Sequence, residues 1–145
     1  MLAEELKHRE LTERIIGVFY DVYNELGHGF LESVYEQALA LAFSEAGMKT
    51  ERQGPVSVWF RSQAVGDFRA DMSVEGKVLI ELKAARTIEQ AHEKQLLNYL
   101  RATDIEVGLL LNLVLRLNFG GWLMRMREKR SALIRVNPRR VRGCA

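Results

Sequence analysis

Hydrophobic residues in the first third of the chain recur at steps of three and four, which is the spacing of one face of an α-helix. The first series runs from Leu11 to Leu26 and stops at Gly27, a residue typical of a helix end. The second series begins at Leu31, after a glycine-rich turn, and ends at Gly47. The pattern therefore predicts two helices before any strand.

The pattern changes from Pro55 onward, where apolar and polar residues alternate as they do in a half-buried strand. Two further short runs, 68–74 and 77–83, are separated by the turn-forming pair Glu75-Gly76. We expect these three runs to form an antiparallel meander.

A third helix and a further strand follow. The segment 87–90, Thr-Ile-Glu-Gln, resembles a capping box and predicts a helix to about Arg101. Residues 106–111 form an apolar run typical of a buried strand, and the region beyond Gly121 suits another strand or helix. This order of elements predicts an α/β fold, with a β-sheet that carries helices.

The composition is that of an ordinary globular protein, with 48% hydrophobic and 28% charged residues, which excludes disordered and collagen-like chains. At 145 residues, we expect one domain spanning 1–145. The longest apolar stretch, 107–115, is too short to cross a bilayer, and the first residues are acidic, so we expect a cytoplasmic protein. Cys144 has no partner for an internal disulfide.

Basic residues are concentrated in the C-terminal region 121–145, although the formal net charge is only +2. They are Arg125, Arg127, Lys129, Arg130, Arg135, Arg139, Arg140 and Arg142. Such a cluster suits a phosphate backbone. The alternative is a solvated tail that keeps the protein in solution.

Charged residues at the end of an apolar run are the candidate chemistry. Glu81 and Lys83 follow the run 78–80, and residues two apart in a strand project from the same face. A three-residue loop 74–76 would pair Asp71 with Leu79 and place Asp71 on that face. A two-residue loop, Glu75-Gly76, would turn Asp71 to the opposite face. We favour the longer loop.

Two carboxylates on one face repel each other unless a cation lies between them, and oxygen ligands suit Mg²⁺ or Mn²⁺. Such an ion acidifies water and neutralises charge on a phosphodiester, while an adjacent lysine orients or deprotonates that water. The alternative is a structural cluster in which Arg69, Lys83, Asp71 and Glu81 neutralise one another.

Five blocks of the chain resemble, in order, the GxxExxY group of the PD-(D/E)XK nuclease superfamily. They are GFLESVY at 29–35, FRAD at 68–71, IELK at 80–83, HEKQLLNYL at 92–100 and VGLL at 107–110. The resemblance covers roughly residues 10–120, and its specificity lies in the ordered set of blocks. It implies a restriction-endonuclease-like core, a mixed sheet flanked by helices with two helices at the N-terminus.

The resemblance also implies a function, the metal-dependent hydrolysis of phosphodiester bonds, with DNA favoured over RNA. It implies Asp71 and Glu81 as ligands of Mg²⁺ or Mn²⁺ and Lys83 as the catalytic lysine. Glu32 matches an acidic residue on an early helix that completes the metal site, directly or through water.

A helix motif supplies the substrate contacts that the resemblance implies. Gln95 and Tyr99 match the glutamine and tyrosine that line the site and help to hold nucleic acid, and their spacing of four places them on one helix face. His92 lies near that face, and both a phosphate contact and a core histidine are open for it.

The chain departs from the group at two places. Ala70 replaces the proline of the superfamily's name, and 111–119 contains an extra apolar segment that would extend the core or form a homo-oligomer interface. Two alternatives to a nuclease stay open. One is a nucleic-acid-binding accessory module without catalysis, and the other is a dimeric scaffold that recruits another protein.

Overall fold

The structure, a computed structural model, describes residues 8–84, 90–113, 121–126 and 132–137. The helices are α1 (Arg9–Leu26), α2 (Glu32–Glu45) and α3 (Gln90–Ala102). The strands are β1 (Thr50–Arg52), β2 (Pro55–Phe60), β3 (Gln63–Arg69), β4 (Met72–Val74), β5 (Val78–Lys83), β6 (Val107–Asn112), β7 (Gly121–Met126) and β8 (Ala132–Asn137). No described helix combines the length and hydropathy needed to cross a bilayer.

Six of the strands form one mixed sheet in the order β1-β4-β5-β6-β8-β7. The central strands β5, β6 and β8 run parallel, and the pairs β1–β4, β4–β5 and β7–β8 are antiparallel. Strands β2 and β3 pair with each other in a separate two-stranded sheet. The predicted fold class, a mixed sheet flanked by helices, is confirmed.

Helices cover both faces of the large sheet. Helices α1 and α2 pack on one face, where Ile15, Phe19 and Leu39 meet the even-numbered residues of β5, Val78, Ile80 and Leu82. Helix α3 covers the other face, where its side chains meet Leu79 and Leu110. Because side chains alternate along a strand, Glu81 and Lys83 share the α3-covered face with Leu79.

The helix predictions are confirmed. Helix α1 ends at Gly27, whose φ of 77° is a conformation that glycine adopts without strain, and α2 ends shortly before Gly47. Helix α3 ends at Ala102, close to the predicted Arg101. Residues 87–89 of the predicted capping box lie outside the described residues, so the capping box stays a prediction.

The predicted meander is confirmed for its last two strands, because β4 and β5 pair antiparallel, and is wrong for its first strand. The run 55–69 folds back on itself as the β2–β3 hairpin, and the run 68–74 breaks at Ala70-Asp71. The hairpin turns at Arg61 and Ser62, whose φ angles of 49° and 63° are left-handed. Such turns usually contain glycine or asparagine, so the sequence carried no signal for this one.

The predicted register between β4 and β5 is also wrong, by two residues. The loop has three residues, but they are 75–77, and Ser73 pairs with Leu79. Glu75 and Gly76 both have positive φ, and the Lys77 amide donates a hydrogen bond to the Val74 carbonyl at 3.0 Å. A shift of two keeps every side chain on its face, so Asp71 still shares a face with Glu81.

The C-terminal region joins the sheet. Strand β6 is buried throughout, as predicted, and both segments described beyond Gly121 are strands. In the basic region, Arg135 is mostly buried and its Nη1 lies 3.7 Å from Glu93 Oε1 on α3, so a solvated tail is wrong for this residue. The side chains of the other basic residues there, and most of the apolar segment 111–119, lie outside the described residues.

Candidate active site

Two carboxylates meet beside the central strands of the sheet. Glu81 lies in β5, and Asp71 lies in the bend just before β4. The Asp71 amide donates a hydrogen bond to Glu81 Oε1 at 3.4 Å, and the Leu82 amide donates one to Asp71 Oδ2 at 2.8 Å. These two bonds hold the acids side by side on the face that α3 covers.

The environment of Glu81 favours its protonated form. The pKa of Glu81 is raised from an ordinary 4.5 to about 8, chiefly by burial, because only 8% of the residue is exposed and the charged form loses hydration. The neighbouring charge of Asp71 contributes to this rise, and the Lys83 ammonium opposes it. The pair therefore holds a proton near neutral pH that a cation could replace.

Lys83 is the last residue of β5 and lies two residues beyond Glu81. It pairs with Asn112 of the parallel neighbour β6, and its carbonyl accepts a hydrogen bond from the Leu113 amide at 2.8 Å. Its side chain is half-buried on the same face as Glu81. The backbone of a central strand thus fixes the position from which the Lys83 side chain projects.

Glu32 approaches the same end of β5 from the other helical layer. It is the first residue of α2, and its Oε1 accepts a hydrogen bond from the Ala84 amide at 3.0 Å. Within the described residues, no group of three or more His, Cys, Asp or Glu side chains is close enough to hold a metal. The structure therefore brings Asp71 and Glu81 together, while Glu32 bonds to the backbone just beyond Lys83.

Helix α3 supplies the opposite wall of the site. Gln95 Nε2 donates a hydrogen bond to the Tyr99 hydroxyl, as their spacing of four permits. The Tyr99 ring stacks on Phe68 with ring centroids 3.4 Å apart and planes 9° apart. Burial raises the pKa of Tyr99, and the charges of Glu81 and Asp71 add to the rise, so the phenol lies within the field of the two acids.

His92 is half-buried on α3, three residues before Gln95. Residues three and four apart on a helix are neighbours, so His92 lies on the side of α3 that carries Gln95. Its partial exposure is compatible with a phosphate contact and with a packed histidine. Its role stays a prediction.

A polar network that the sequence did not predict connects the helix α2 to the backbone of Asp71. The buried Glu36 carboxylate accepts hydrogen bonds from Arg52 Nη2 at 3.0 Å and from Gln53 Nε2 at 2.8 Å. The backbone amide of Gln53 in turn donates a hydrogen bond to the Asp71 backbone carbonyl at 3.0 Å, and Arg69 Nη1 donates one to the Gln53 backbone carbonyl at 3.1 Å. Glu36 thus reaches the backbone of Asp71 through one residue.

A signal for part of this network was present in the sequence. Glu36 lies three residues before Leu39 in the buried stripe of α2, and an acid in an apolar stripe needs a partner. The sequence did not identify Gln53 as that partner. Its left-handed φ of 51° is a conformation that usually requires glycine or asparagine, and Gln53 is neither. Tyr35, the tyrosine of the GxxExxY block, lies in the core, where its hydroxyl donates to the Gly27 carbonyl.

The residues present fit a divalent cation. Two backbone hydrogen bonds hold the carboxylates of Asp71 and Glu81 side by side. Carboxylate oxygens are hard ligands, the type that Mg²⁺ and Mn²⁺ prefer. Burial is the main cause of the raised pKa of Glu81, and the charge of Asp71 adds to it, so the two acids repel each other when both are ionised. A positive ion would relieve that repulsion.

Comparison with known protein families identifies the fold and its class of chemistry. The family model for the PD-(D/E)XK nuclease superfamily matches residues 9–126, which include both acids, Lys83 and all three helices. No individual curated protein matches the sequence. The superfamily supports a hydrolase that acts on nucleic acid, with divalent metals as typical cofactors. The chain belongs to the PD-(D/E)XK nuclease superfamily.

Proposed function

We propose that this protein is a Mg²⁺- or Mn²⁺-dependent nuclease that hydrolyses phosphodiester bonds in DNA, and that it belongs to the GxxExxY group of its superfamily. The observation that carries the proposal is the paired carboxylates of Asp71 and Glu81 with Lys83 on the same sheet face. That arrangement lies within the stretch that matches the nuclease family.

Asp71 and Glu81 are the proposed ligands of the metal, with Glu32 as a further ligand directly or through water. When bound, such an ion acidifies water and neutralises charge on the phosphate. Glu81 has to give up its proton for this role, and Glu32 has to exchange its hydrogen bond to the Ala84 amide. The backbone bonds that hold Asp71 cost no reorganisation, because they form without the ion.

Lys83 is the proposed activating residue. Lys83 shares a strand face with Glu81, so its ammonium group can orient the attacking water and donate a hydrogen bond to the phosphoryl oxygen as negative charge develops. A half-buried ammonium is worth more here than in water, because the surrounding dielectric is lower. The same charge also partly offsets the repulsion between Asp71 and Glu81.

Helix α3 is the proposed substrate-positioning wall. The Gln95 amide and the Tyr99 hydroxyl form one hydrogen-bonded pair, so a phosphate or sugar oxygen that binds one group also orients the other. The stacked Phe68 ring keeps Tyr99 in place. His92 is a proposed phosphate contact on the same helix.

The decisive test is cleavage of labelled DNA by the full chain and by Lys83→Ala. Linear and circular, single- and double-stranded DNA are incubated with Mg²⁺, with Mn²⁺ and with chelator. We expect metal-dependent cutting that falls by at least about 100-fold in Lys83→Ala, the loss typical when one electrostatic group is removed. The matched control is Lys77→Ala, because Lys77 is exposed at the opposite end of β5.

Two results would overturn the nuclease proposal. One is cutting that survives in Lys83→Ala, which would place the chemistry elsewhere. The other is wild-type protein that binds DNA without cutting it under any metal, which would favour an accessory module. Circular DNA separates internal attack from attack at an end, and an RNA substrate tests the preference for DNA.

Three further proposals rest on the sequence. Residues 1–145 form one domain, and the protein is cytoplasmic. Leu111, Asn112 and Leu113 are buried in the core, so we propose that the rest of the apolar segment, 114–119, contributes to a homo-oligomer interface. Light scattering of the full chain tests the last of these, with a monomer as the contradicting result.

A further inference from the structure

The β2–β3 hairpin exposes large apolar side chains. Its strands pair with each other and not with the six-stranded sheet. Trp59 and Phe60 near the turn are 62% and 57% exposed, and Val65 is similarly exposed. Large apolar side chains that are exposed this close together on one hairpin are candidates for an interaction surface. The hairpin therefore needs an explanation beyond folding.

One face of the hairpin leads to the candidate active site. Val56 and Val58 are half-buried on this face, and Val56 pairs with Phe68, whose ring stacks on Tyr99. The strand pairing is irregular between Val58 and Trp59, and beyond it Phe60 is 57% exposed at the end of the same strand. Apolar side chains, here called the apolar stripe, thus lead from Tyr99, beside the two acids, through Phe68, Val56 and Val58 to the exposed end of the hairpin.

The end of the hairpin combines aromatic rings with a positive charge. The Arg61 guanidinium lies over the Phe60 ring, 5.0 Å from its centroid. Arg61 is the only charged residue between Val58 and Gly66. Flat rings and a guanidinium suit the faces of nucleic-acid bases and the phosphates beside them.

We propose that the β2–β3 hairpin is a nucleic-acid-binding arm whose tip, Trp59-Phe60-Arg61, stacks on unpaired bases of the substrate close to the cleavage site. This inference rests on the proposed function of the site at the base of the arm. It adds a substrate class: DNA with single-stranded, frayed or unstacked bases near the scissile bond is preferred over an intact duplex.

The dimensions of the arm suit this role. Phe60 lies four residues beyond Val56, which is about 13 Å along a strand. That length spans roughly four base steps of a duplex. The tip can therefore contact bases on the same stretch of nucleic acid whose phosphate lies between the acids and α3.

Continuity with the site favours nucleic acid over a protein partner. Exposed aromatic rings alone would suit either class. The stripe, however, begins at Tyr99, which the field of Asp71 and Glu81 reaches, so a molecule lying along it also meets the proposed catalytic groups. A bound protein would cover that approach and block the substrate.

The test measures DNA binding in the Lys83→Ala background with Mg²⁺, so that cutting does not confuse the result. Fluorescence anisotropy compares a duplex, a single strand and a duplex with a short unpaired gap. A 2-aminopurine base placed in the gap reports stacking. The arm variant is Trp59→Ala with Phe60→Ala and Arg61→Ala, and the control is Leu41→Ala, which is 63% exposed on α2.

We expect the arm variant to bind the gapped and single-stranded DNA about tenfold more weakly and to lose the 2-aminopurine stacking signal. Its affinity for the intact duplex changes less than about threefold, because phosphate contacts dominate there. Leu41→Ala binds all three DNAs as its parent does. Trp59→Leu with Phe60→Leu keeps apolar side chains without the aromatic rings, so it also loses the stacking signal if the inference is right.

Two outcomes overturn the inference. Equal binding by parent and arm variant on every DNA would assign the exposed rings to a protein partner. Equal weakening on all three DNAs would reduce Arg61 to a general phosphate contact. Failure of the nuclease proposal is a separate result: a wild-type protein that never cuts can still show the gap-specific loss, and a nuclease can lack it.

Discussion

At the scale of single residues, Glu81 is the group with the largest electrostatic perturbation among those that the proposed mechanism uses. Its carboxyl is buried against the carboxyl of Asp71, and both effects favour a bound proton. The same arrangement that disfavours the charged acid favours a divalent cation, so metal affinity and proton affinity compete at one place.

The raised pKa of Glu81 predicts how the stability of the metal-free protein depends on pH. The pKa of Glu81 is raised from 4.5 to about 8 on folding, so the stability contributed by its proton is complete below pH 4.5 and is lost as the pH rises through 8. The free energy of unfolding should fall, relative to Glu81→Gln, by on the order of 3 kcal/mol between pH 5 and pH 9.

Urea unfolding with chelator at the two pH values measures this difference. Groups remote from this site titrate equally in the wild type and in Glu81→Gln, so the difference between the two proteins reports the coupled pair of Glu81 and Asp71. Curves that stay parallel from pH 5 to pH 9 would show that Glu81 is ionised throughout, contrary to the prediction.

At the scale of elements, the site depends on how closely α3 approaches β6. A Cβ on Gly108 would lie 3.0 Å from Leu100 Cδ1 and 3.1 Å from Leu96 Cγ. The glycine thus permits a contact between helix and strand that any side chain would widen. The helix that this contact seats is the one that carries Gln95 and Tyr99.

Gly108→Ala should therefore move α3 outward. We expect a loss of about 1–3 kcal/mol in the free energy of unfolding, the usual cost of overpacking, together with weaker DNA binding. Gly17→Ala is the matched control, because a Cβ there meets nothing within 4 Å and α1 packs on the opposite face of the sheet from α3. Thermal unfolding and DNA titration check both variants, and equal behaviour of the two would contradict the close-packing argument.

The junction between α2 and the bend at Asp71 is the second element-scale feature. Glu36→Ala leaves Arg52 and Gln53 without the carboxylate that orders them, so the Gln53 amide no longer holds the Asp71 carbonyl as firmly. We expect kcat to fall about tenfold or more with little change in KM, because a misplaced ligand affects the transition state more than binding.

Steady-state kinetics on labelled DNA measures this effect. Glu36→Gln keeps acceptors for one of the two bonds and should recover part of the loss. Glu45→Ala, at the exposed end of α2, is the control and should behave as the wild type. A change in KM alone would assign Glu36 to substrate binding instead.

At the scale of the whole molecule, an ion pair joins the C-terminal strand to the helix above it. Arg135 of β8 and Glu93 of α3 are both largely buried. Removing the arginine leaves a buried charge without its guanidinium, so Arg135→Ala should cost about 3 kcal/mol of stability. Replacing both residues, as Glu93→Leu with Arg135→Met, should recover most of it.

Urea unfolding of the two variants distinguishes this structural role from a nucleic-acid contact. If Arg135 instead bound phosphate, Arg135→Ala would leave stability unchanged and would lower the salt dependence of DNA binding. The two variants thus show whether Arg135, one member of the basic cluster 125–142, stabilises the fold or binds phosphate.

The sequence predicted the helices and the buried strand β6 because their periodicity and apolar runs are strong local signals. It also placed Asp71 on the correct face, since a register error of two residues preserves the alternation of side chains. Asp71 and Glu81 therefore share a face because the register error is an even number of residues, even though the predicted pairing of Asp71 with Leu79 was wrong.

The rest depended on conformations and contacts that carry no local signal. Three left-handed residues, Gln53, Arg61 and Ser62, create the bend behind Asp71 and the turn of the hairpin, and none is glycine or asparagine. The three-residue strand β1 is too short for a pattern. The bonds of Glu36 to Arg52 and Gln53 join residues from different elements, which only the folded chain brings together.

The order of strands in the sheet has a consequence for biosynthesis. Strand β8 inserts between β6 and β7, although it is the last of the described strands to be translated. The edge of β6 that β8 covers therefore has no partner until residues up to 137 have been made and have left the ribosome. The central part of the sheet thus forms late, after the helices α1 and α2 have been translated. A chain truncated before β8 would keep an apolar strand with an unpaired edge, which favours aggregation.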